Sequence, residues 1–311
     1  MSPAEETMRE FVQEIIRERR ASRRIKMLMW GGAVLLCGAA VISERFAAGD
    51  LDSSAEFTAR IDIIGQIADG DSANAENIKK GLANAFDDER TRAVVLKINS
   101  PGGSPVQAGY VYDELKRQRG LHPEIKVYAV ITDLGASGAY YIASAADEIV
   151  ADKASLVGSI GVTAASFGYV DLMSKLGVER RAYVAGEHKA FLDPFQPQSK
   201  EEAQFWGNVL GTTHQQFIRA VEAGRGDRLQ SKAHPELFSG LIWSGEQALA
   251  LGLIDRLGDI DYVAREIVGV SKVVDFTTKD TAFDRFAKRM GASVAKQLSL
   301  SLGLEGVKVE L

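Results

Sequence analysis

The chain has 311 residues, of which 46% are hydrophobic and 25% charged, so it can bury the core of one large or two small domains and is not disordered throughout. Its formal net charge of −5 at pH 7 argues against nucleic acid as a partner. The single cysteine, Cys37, and the 4 scattered histidines exclude a disulfide framework and any metal site built on cysteine or histidine spacing.

The first informative segment is a basic leader followed by an apolar run. Residues 1–26 end in RERRASRRIK, and residues 27–43 carry no charge. An apolar run behind a basic flank is typical of a transmembrane anchor whose N-terminus lies in the cytoplasm. The alternative is a cleaved signal peptide with small residues at 47–49 as its cleavage site, but the leader is long for one. We therefore predict an anchor over 27–43 and a polar linker over 44–56.

Beyond the linker, short apolar strands alternate with helical patterns. Strand patterns occur in FTARIDII, RAVVLKIN and IKVYAVIT, and helical spacing occurs in NAENIKKGLANAF, SPVQAGYVYDELKRQ and the small-residue stretch SGAYYIASAA. This alternation predicts an α/β fold, with βαβ units around a mainly parallel sheet.

The second half of the chain is more helical. One long amphipathic helix is predicted in KEEAQFWGNVLGTTHQQFIRAVEAG, and two shorter ones in SGEQALALGLIDRLGDIDYVAREI. We assign the folded domain to residues 57–278. Residues 279–311 form an amphipathic tail, for which packing on its own domain, on a neighbouring subunit or on a membrane all stay open.

Two glycine-rich turns follow strands of the predicted sheet. The first contains Gly102 and Gly103, and the second places Ser137 and Gly138 at the start of a helix. Carboxyl ends of neighbouring parallel strands meet at one edge, where ligands usually bind. Amides of these glycines can therefore point at a ligand oxygen, and Ser137 is a candidate nucleophile. Read alone, such turns are more often plain turns or helix caps, and the pattern is not the Gly-x-Ser-x-Gly elbow of α/β-hydrolases.

A serine nucleophile needs a base, and one loop offers two candidates. The base for a serine nucleophile is either a histidine that a carboxylate orients or a lysine whose pKa is lowered by burial. His188 and Lys189 lie together in VAGEHKAFLDPFQPQSKEE, whose apolar residues could desolvate an ammonium group. The residues alone leave the choice open, and a lysine in a loop is most often a solvated surface charge.

Four motifs follow one another in the chain: NSPGG, DLGASGAYYIASAADEIVADKASLVGSIGV, GEHKAFLDPFQPQSKEE and IWSGEQALALGLIDRLG. In this order, behind an N-terminal anchor, they resemble the family of bacterial signal peptide peptidase A, membrane-bound serine peptidases with a Ser/Lys dyad. The first two alone also fit the wider Clp-protease and crotonase superfamily. The resemblance covers residues 55–275 and implies a Clp-protease/crotonase-like fold of repeated βαβ units with a helical C-terminal part.

The resemblance assigns roles to five residues. It makes Ser137 the nucleophile and Lys189 the general base, and it makes Ser159 the hydroxyl that orients the lysine. The backbone amides of Gly103 and Gly138 form the oxyanion hole. No metal or organic cofactor takes part in this chemistry.

The same resemblance implies an endopeptidase that cleaves remnant signal peptides after their release from preproteins. It places the chain in the bacterial inner membrane as a single-pass protein, with the catalytic domain on the outer, periplasmic side. The chain carries one copy of the catalytic motifs where long members of the family carry two. This implies a homo-oligomer, an octameric ring, in which Ser137 and Lys189 meet across a subunit boundary; a dyad within one chain is the alternative.

Three other functions fit parts of the sequence. A sister peptidase that acts on other membrane or periplasmic proteins would use the same dyad. An acyl-CoA hydratase or isomerase would hold an enolate with glycine-loop amides, but the anchor, the external location and the Ser/Lys pair argue against it. A membrane-anchored assembly protein without turnover would have no need for Lys189 as a base against Ser137.

Overall fold

The structure is a computed structural model, and it describes residues 55–278. The predicted leader, anchor and tail lie outside the described residues, as does most of the predicted linker. Within 55–278, no helix has the length and the apolar character needed to cross a membrane.

One mixed sheet organises the described residues. Its strands are β1 (Phe57–Ile64), β2 (Thr91–Ser100), β3 (Lys126–Ala136), β4 (Glu148–Ala151), β5 (Leu156–Gly158), β6 (Ile242–Ser244), β7 (Arg256–Leu257) and β8 (Val273–Asp275). The order is β6-β5-β3-β2-β1-β8, and β4 pairs with β3 and β7. Every pairing is parallel except that of β5 with β6. The predicted α/β fold with a mainly parallel sheet is therefore confirmed.

Helices connect and cover these strands. They are α1 (Ala75–Phe86), α2 (Pro105–Leu121), α3 (Gly138–Ala143), α4 (Val170–Leu176), α5 (Lys200–Arg225), α6 (Gly245–Ala250) and α7 (Ile260–Tyr262), which a π-helical turn (Val263–Val268) continues. Short 3-10 turns cover Gly226–Arg228 and Pro235–Phe238. The sequence predicted all of these helices except α4. That helix buries none of its residues, and its seven residues are too few for helical spacing to be recognised.

Apolar side chains pack on both faces of the sheet. The main cluster joins β1 to α1 and α2, with Ile61, Leu82 and Leu115 among its buried members. A smaller cluster on the other face includes Val95 of β2 and Val263 of the π-helical turn. Because the central strands are covered on both sides, their carboxyl ends form a rigid rim on which a site can be built.

Strand β3 is long, and on the side away from β2 it pairs with two different strands. Its first half, Tyr128–Ile131, pairs with β4, and its last residues, Leu134–Ala136, pair with β5. In that register Ala136 lies opposite Gly158. The residues that follow, Ser137 and Ser159, therefore leave the sheet at neighbouring positions.

A buried ion pair fixes the end of α5. The Arg225 guanidinium, whose side chain is 1% exposed, donates to both carboxylate oxygens of Asp255 at 2.7 and 2.9 Å and to the Gly252 carbonyl at 3.0 Å. Burial is the largest single influence and acts to raise the pKa of Asp255, but the hydrogen bonds and charge of Arg225, together with the Ile149 amide and the charge of Arg228, outweigh it and hold that pKa below its ordinary value. The stabilisation is therefore complete above the ordinary aspartate pKa of ~3.9 and is lost as the pH falls through the folded-state value.

We expect Arg225→Met to lower the free energy of unfolding by about 3 kcal/mol at pH 7, because it leaves a buried carboxylate without its main partner. Arg228→Met is the matched control. Arg228 also contacts Asp255, at 3.1 Å, but its side chain is 41% exposed, so we expect a loss below about 1 kcal/mol. Urea unfolding measures the loss of stability in each variant, and the difference between the two losses should shrink below about pH 4. Equal losses at pH 7 would contradict the assignment of Arg225 as the main partner of the Asp255 carboxylate.

Candidate active site

Ser137 lies at the turn from β3 into α3. Its backbone has φ 53° and ψ −125°, a conformation typical of glycine, and its amide donates to the Gly158 carbonyl at 2.9 Å. A non-glycine residue in such a conformation costs on the order of 1–3 kcal/mol and persists only where its surroundings hold it. The turn presents the Ser137 side chain at the N-terminus of α3, where the helix dipole favours negative charge.

The first glycine turn packs directly against this serine. Gly102 has φ +91°, and a Cβ there would lie 2.6 Å from the Gly138 nitrogen and 2.8 Å from Ser137 Cβ. A Cβ on Gly103, at φ +150°, would collide with the Ile67 carbonyl oxygen. The glycines are therefore required by close backbone approach as well as by dihedral angle.

The amides of Gly103 and Gly138 come together at this contact. A Cβ on Gly138 would lie 3.4 Å from the Gly103 nitrogen, so the two residues are neighbours. Within residues 55–278, neither amide donates a hydrogen bond to another group. Two adjacent N–H groups without an acceptor form an arrangement that can bind an oxyanion.

We expect Gly102→Ala to lower the free energy of unfolding by about 2–3 kcal/mol, because the new methyl group meets backbone atoms that cannot move aside. Gly109→Ala, in the middle of α2, is the control, since its Cβ would meet nothing within 4 Å. It should be neutral or stabilising by up to about 1 kcal/mol. Urea unfolding separates the two variants, and a neutral Gly102→Ala would show that the turn is looser than described.

Four of the five predicted site residues line one cavity of about 450 Å³: Gly103, Ser137, Gly138 and Ser159. Ser159 directly follows β5 and has φ 53°, and its amide donates to the Leu241 carbonyl at 2.7 Å. The structure thus brings the predicted nucleophile, the two predicted oxyanion donors and the predicted orienting hydroxyl to one place.

Lys189 does not line this cavity in the single chain. It is exposed, in a turn where its amide donates to the Gly186 carbonyl at 3.1 Å. The neighbouring His188 ring packs on Phe191, with centroids 4.8 Å apart. The end of this loop is tied to α5, because the buried Glu202 carboxylate accepts from the amide of Leu192. The predicted Ser137–Lys189 pair is therefore not assembled by one copy of the chain as described.

The rest of the cavity wall was not predicted. Tyr141 and Phe217 form an aromatic side, with ring centroids 5.0 Å apart, and Thr213 and Gln216 come from the same face of α5 as Phe217. Spacing of three and four residues along α5 places them together. That spacing could have identified a shared face, but nothing in the sequence says that the face meets Ser137.

Together these features define an α/β protein with a serine at a strand-to-helix turn beside two unpaired backbone amides. The sequence pattern of peptidase family S49 matches residues 120–273. A protein named as a protease from Synechocystis sp. is 33% identical over 206 residues, which cover 66% of this chain and 71% of that protein. The chain belongs to peptidase family S49.

Other relatives differ more in length. A protein of Enterococcus faecium that carries the name signal peptide peptidase SppA is 30% identical over 204 residues, covering 66% of this chain and 58% of that protein. A Brucella abortus protein named Na(+)/H(+) antiporter NhaA is 46% identical over 188 residues, but the match covers 60% of this chain and only 25% of that protein. Because the match covers only a quarter of the Brucella abortus protein, the name of that protein is no evidence that this chain takes part in transport.

Among solved structures, 1510-N, a membrane-bound stomatin-specific protease determined with a substrate peptide, aligns with a TM-score of 0.45 and 14% sequence identity. The alignment covers 76% of this chain and 98% of that one.

Proposed function

We propose that this protein is a membrane-anchored serine endopeptidase with a Clp-protease/crotonase-like fold. The observation that carries the proposal is the cavity in which Ser137 lies beside the unpaired amides of Gly103 and Gly138. A hydroxyl next to converging N–H donors suits acyl transfer, because attack on a carbonyl creates an oxyanion. Membership in peptidase family S49 supports the same reaction.

In the proposed reaction, neutral Lys189 removes the proton from Ser137 Oγ as that oxygen attacks a peptide carbonyl. The amides of Gly103 and Gly138 stabilise the oxyanion, and one such donor is typically worth about 10²–10³ in rate. The protonated lysine then gives its proton to the leaving amine. Water, deprotonated by the same lysine, hydrolyses the acyl-enzyme and restores Ser137.

The base is proposed to come from a neighbouring subunit. The segment 163–198, which carries Lys189, also exposes large apolar side chains, among them Phe167 (76% exposed), Leu176 (68%) and Tyr183 (93%). Part of this apolar surface is contiguous, since the Phe167 ring packs on Tyr169 and the Tyr169 ring on Phe195, and such exposed apolar surface marks interaction sites. Packing of this segment on the next copy of the chain would bury these side chains together with Lys189, and burial favours a neutral amine. Such contacts close into a ring, which by family resemblance is an octamer.

The proposed substrates are remnant signal peptides left in the membrane after their release from preproteins. The aromatic wall of Tyr141 and Phe217 suits an apolar side chain, and an extended peptide can pair its backbone with the cavity rim. An anchor over 27–43 in the bacterial inner membrane, with its N-terminus in the cytoplasm, would hold the domain where such peptides leave the bilayer.

Two experiments on the full-length protein in detergent test this function. One is covalent labelling with a fluorophosphonate, and the other is hydrolysis of a synthetic signal peptide. We expect the label on Ser137, located by mass spectrometry, and internal cleavage of the peptide. Absence of both would overturn the peptidase and favour an assembly protein without turnover. Labelling with cleavage of other membrane or periplasmic proteins, but not of signal peptides, would keep the chemistry and replace the substrate.

A further inference from the structure

The end of β5 and the two residues after it are held from three sides. The Gly158 carbonyl accepts from the Ser137 amide at 2.9 Å, and the Ser159 amide donates to Leu241 at 2.7 Å. The next carbonyl, that of Ile160, lies 3.1 Å from Nε2 of His214 on α5. Each of three successive residues is therefore fixed by a different part of the chain, which is how Ser159 keeps a backbone conformation with φ 53°.

The contact between His214 and the Ile160 carbonyl is a hydrogen bond that joins this segment to α5. Among the described residues, no other group donates to the Ile160 carbonyl, and the Ile160 side chain is fully buried. His214 follows Thr213, which lines the cavity, and precedes Phe217, where α5 enters the core. The imidazole therefore links α5 by a hydrogen bond to the strand end that carries Ser159.

We propose that His214 is a positioning residue for Ser159. Its Nε2–H donates to the Ile160 carbonyl and so holds the Ser159 hydroxyl where it can orient the catalytic base. The inference rests on the proposed function, because Ser159 has a task only if a base acts in this cavity. Both the Nε2–H tautomer and the imidazolium keep the donor, so the bond does not require one charge state.

Because Ser159 acts on the base, loss of this hydrogen bond should lower kcat more than it raises KM. The expected loss is about tenfold, the factor that one hydrogen bond of ordinary strength corresponds to. A purely structural role would lower kcat only in proportion to the fraction of unfolded protein.

Two amide variants of similar polarity test the role. In glutamine the side-chain nitrogen is three bonds from Cβ, as Nε2 is in histidine, whereas in asparagine it is two bonds away. We expect His214→Gln to keep kcat within about twofold of wild type and His214→Asn to lose about tenfold, with KM nearly unchanged in both. The rate of fluorophosphonate labelling of Ser137 should fall with kcat. His234→Asn, whose exposed ring pairs with Glu236, is the control and should leave both rates unchanged.

Each outcome decides a different claim. Equal kcat values for His214→Gln and His214→Asn would overturn the positioning role, and so would losses that follow the folded fraction measured by circular dichroism. A wild type that neither hydrolyses peptide nor takes the label would overturn the proposed function itself, and the role with it. An active wild type with rescue by glutamine alone supports both.

Discussion

Ser137→Ala is expected to lower kcat for peptide hydrolysis by about 10⁴-fold or more, because removal of a serine nucleophile abolishes the covalent route and leaves only binding and the oxyanion donors. The Gly103 and Gly138 amides do not depend on the Ser137 side chain, so KM should change little. Steady-state hydrolysis of a synthetic signal peptide in detergent measures both constants. Ser72→Ala, the same change at an exposed position, is the control.

A second variant at this position separates activity from stability. Ser137 holds φ 53° and ψ −125°, which glycine adopts without strain. Ser137→Gly should therefore be as inactive as Ser137→Ala but more resistant to urea by about 1 kcal/mol. If Ser137→Gly were less stable than Ser137→Ala, the backbone at this turn would be unstrained. If Ser137→Ala retained its activity, the nucleophile would be another residue.

The sequence was most informative where local chemistry decides the structure. Gly102 and Gly103 were predicted to make a tight turn after a strand, and their positive φ angles and close contacts with Gly138 and Ile67 account for the choice of residue. Ser104 is of a residue type preferred at helix N-caps, and its hydroxyl accepts from the Gln107 amide at 3.3 Å. Turn and cap rules operate over a few residues, so they can be read directly from the chain.

Contacts between distant parts of the chain could not be predicted from such local rules. The neighbourhood of Ser137 and Ser159 depends on β3 pairing with β4 along one half and with β5 along the other, a register that no local pattern encodes. The cavity wall supplied by Thr213 and Phe217 depends on how α5 packs over the sheet. Ser159 was assigned by resemblance alone, and its proximity to Ser137 is explained only by the strand register.

The position of Lys189 bears on two separate predictions, one that this residue is the catalytic base and one that the site is shared between subunits. Resemblance makes Lys189 the base, yet in the described chain it is exposed and lies outside the cavity that holds Ser137. If Lys189 is the base, the exposed apolar segment that carries it and the cavity of Ser137, whose described lining holds no lysine or histidine, would be complementary halves of a site. Two copies of the chain can therefore complete what one copy leaves open.

We expect Lys189→Ala to lower kcat by about 10³-fold or more, since Ser137 then lacks a group to take its proton. If the dyad is shared between neighbours, co-expression of Lys189→Ala with Ser137→Ala chains should restore activity that neither variant has alone. A site works when one subunit keeps its serine and the next keeps its lysine, which random assembly of equal amounts achieves in about a quarter of the boundaries.

The controls fix the interpretation of that experiment. Lys232→Ala, an exposed lysine outside the segment 163–198, should leave kcat unchanged. Co-expression of the double variant, Ser137→Ala with Lys189→Ala in one chain, with either single variant should give no more activity than that single variant shows alone. Full activity of Lys189→Ala would remove the lysine from the mechanism and return His188 as the candidate base. Inactive single variants that stay inactive in mixed oligomers would place both members of the dyad in one chain, and segment 163–198 would then have to fold back over its own cavity.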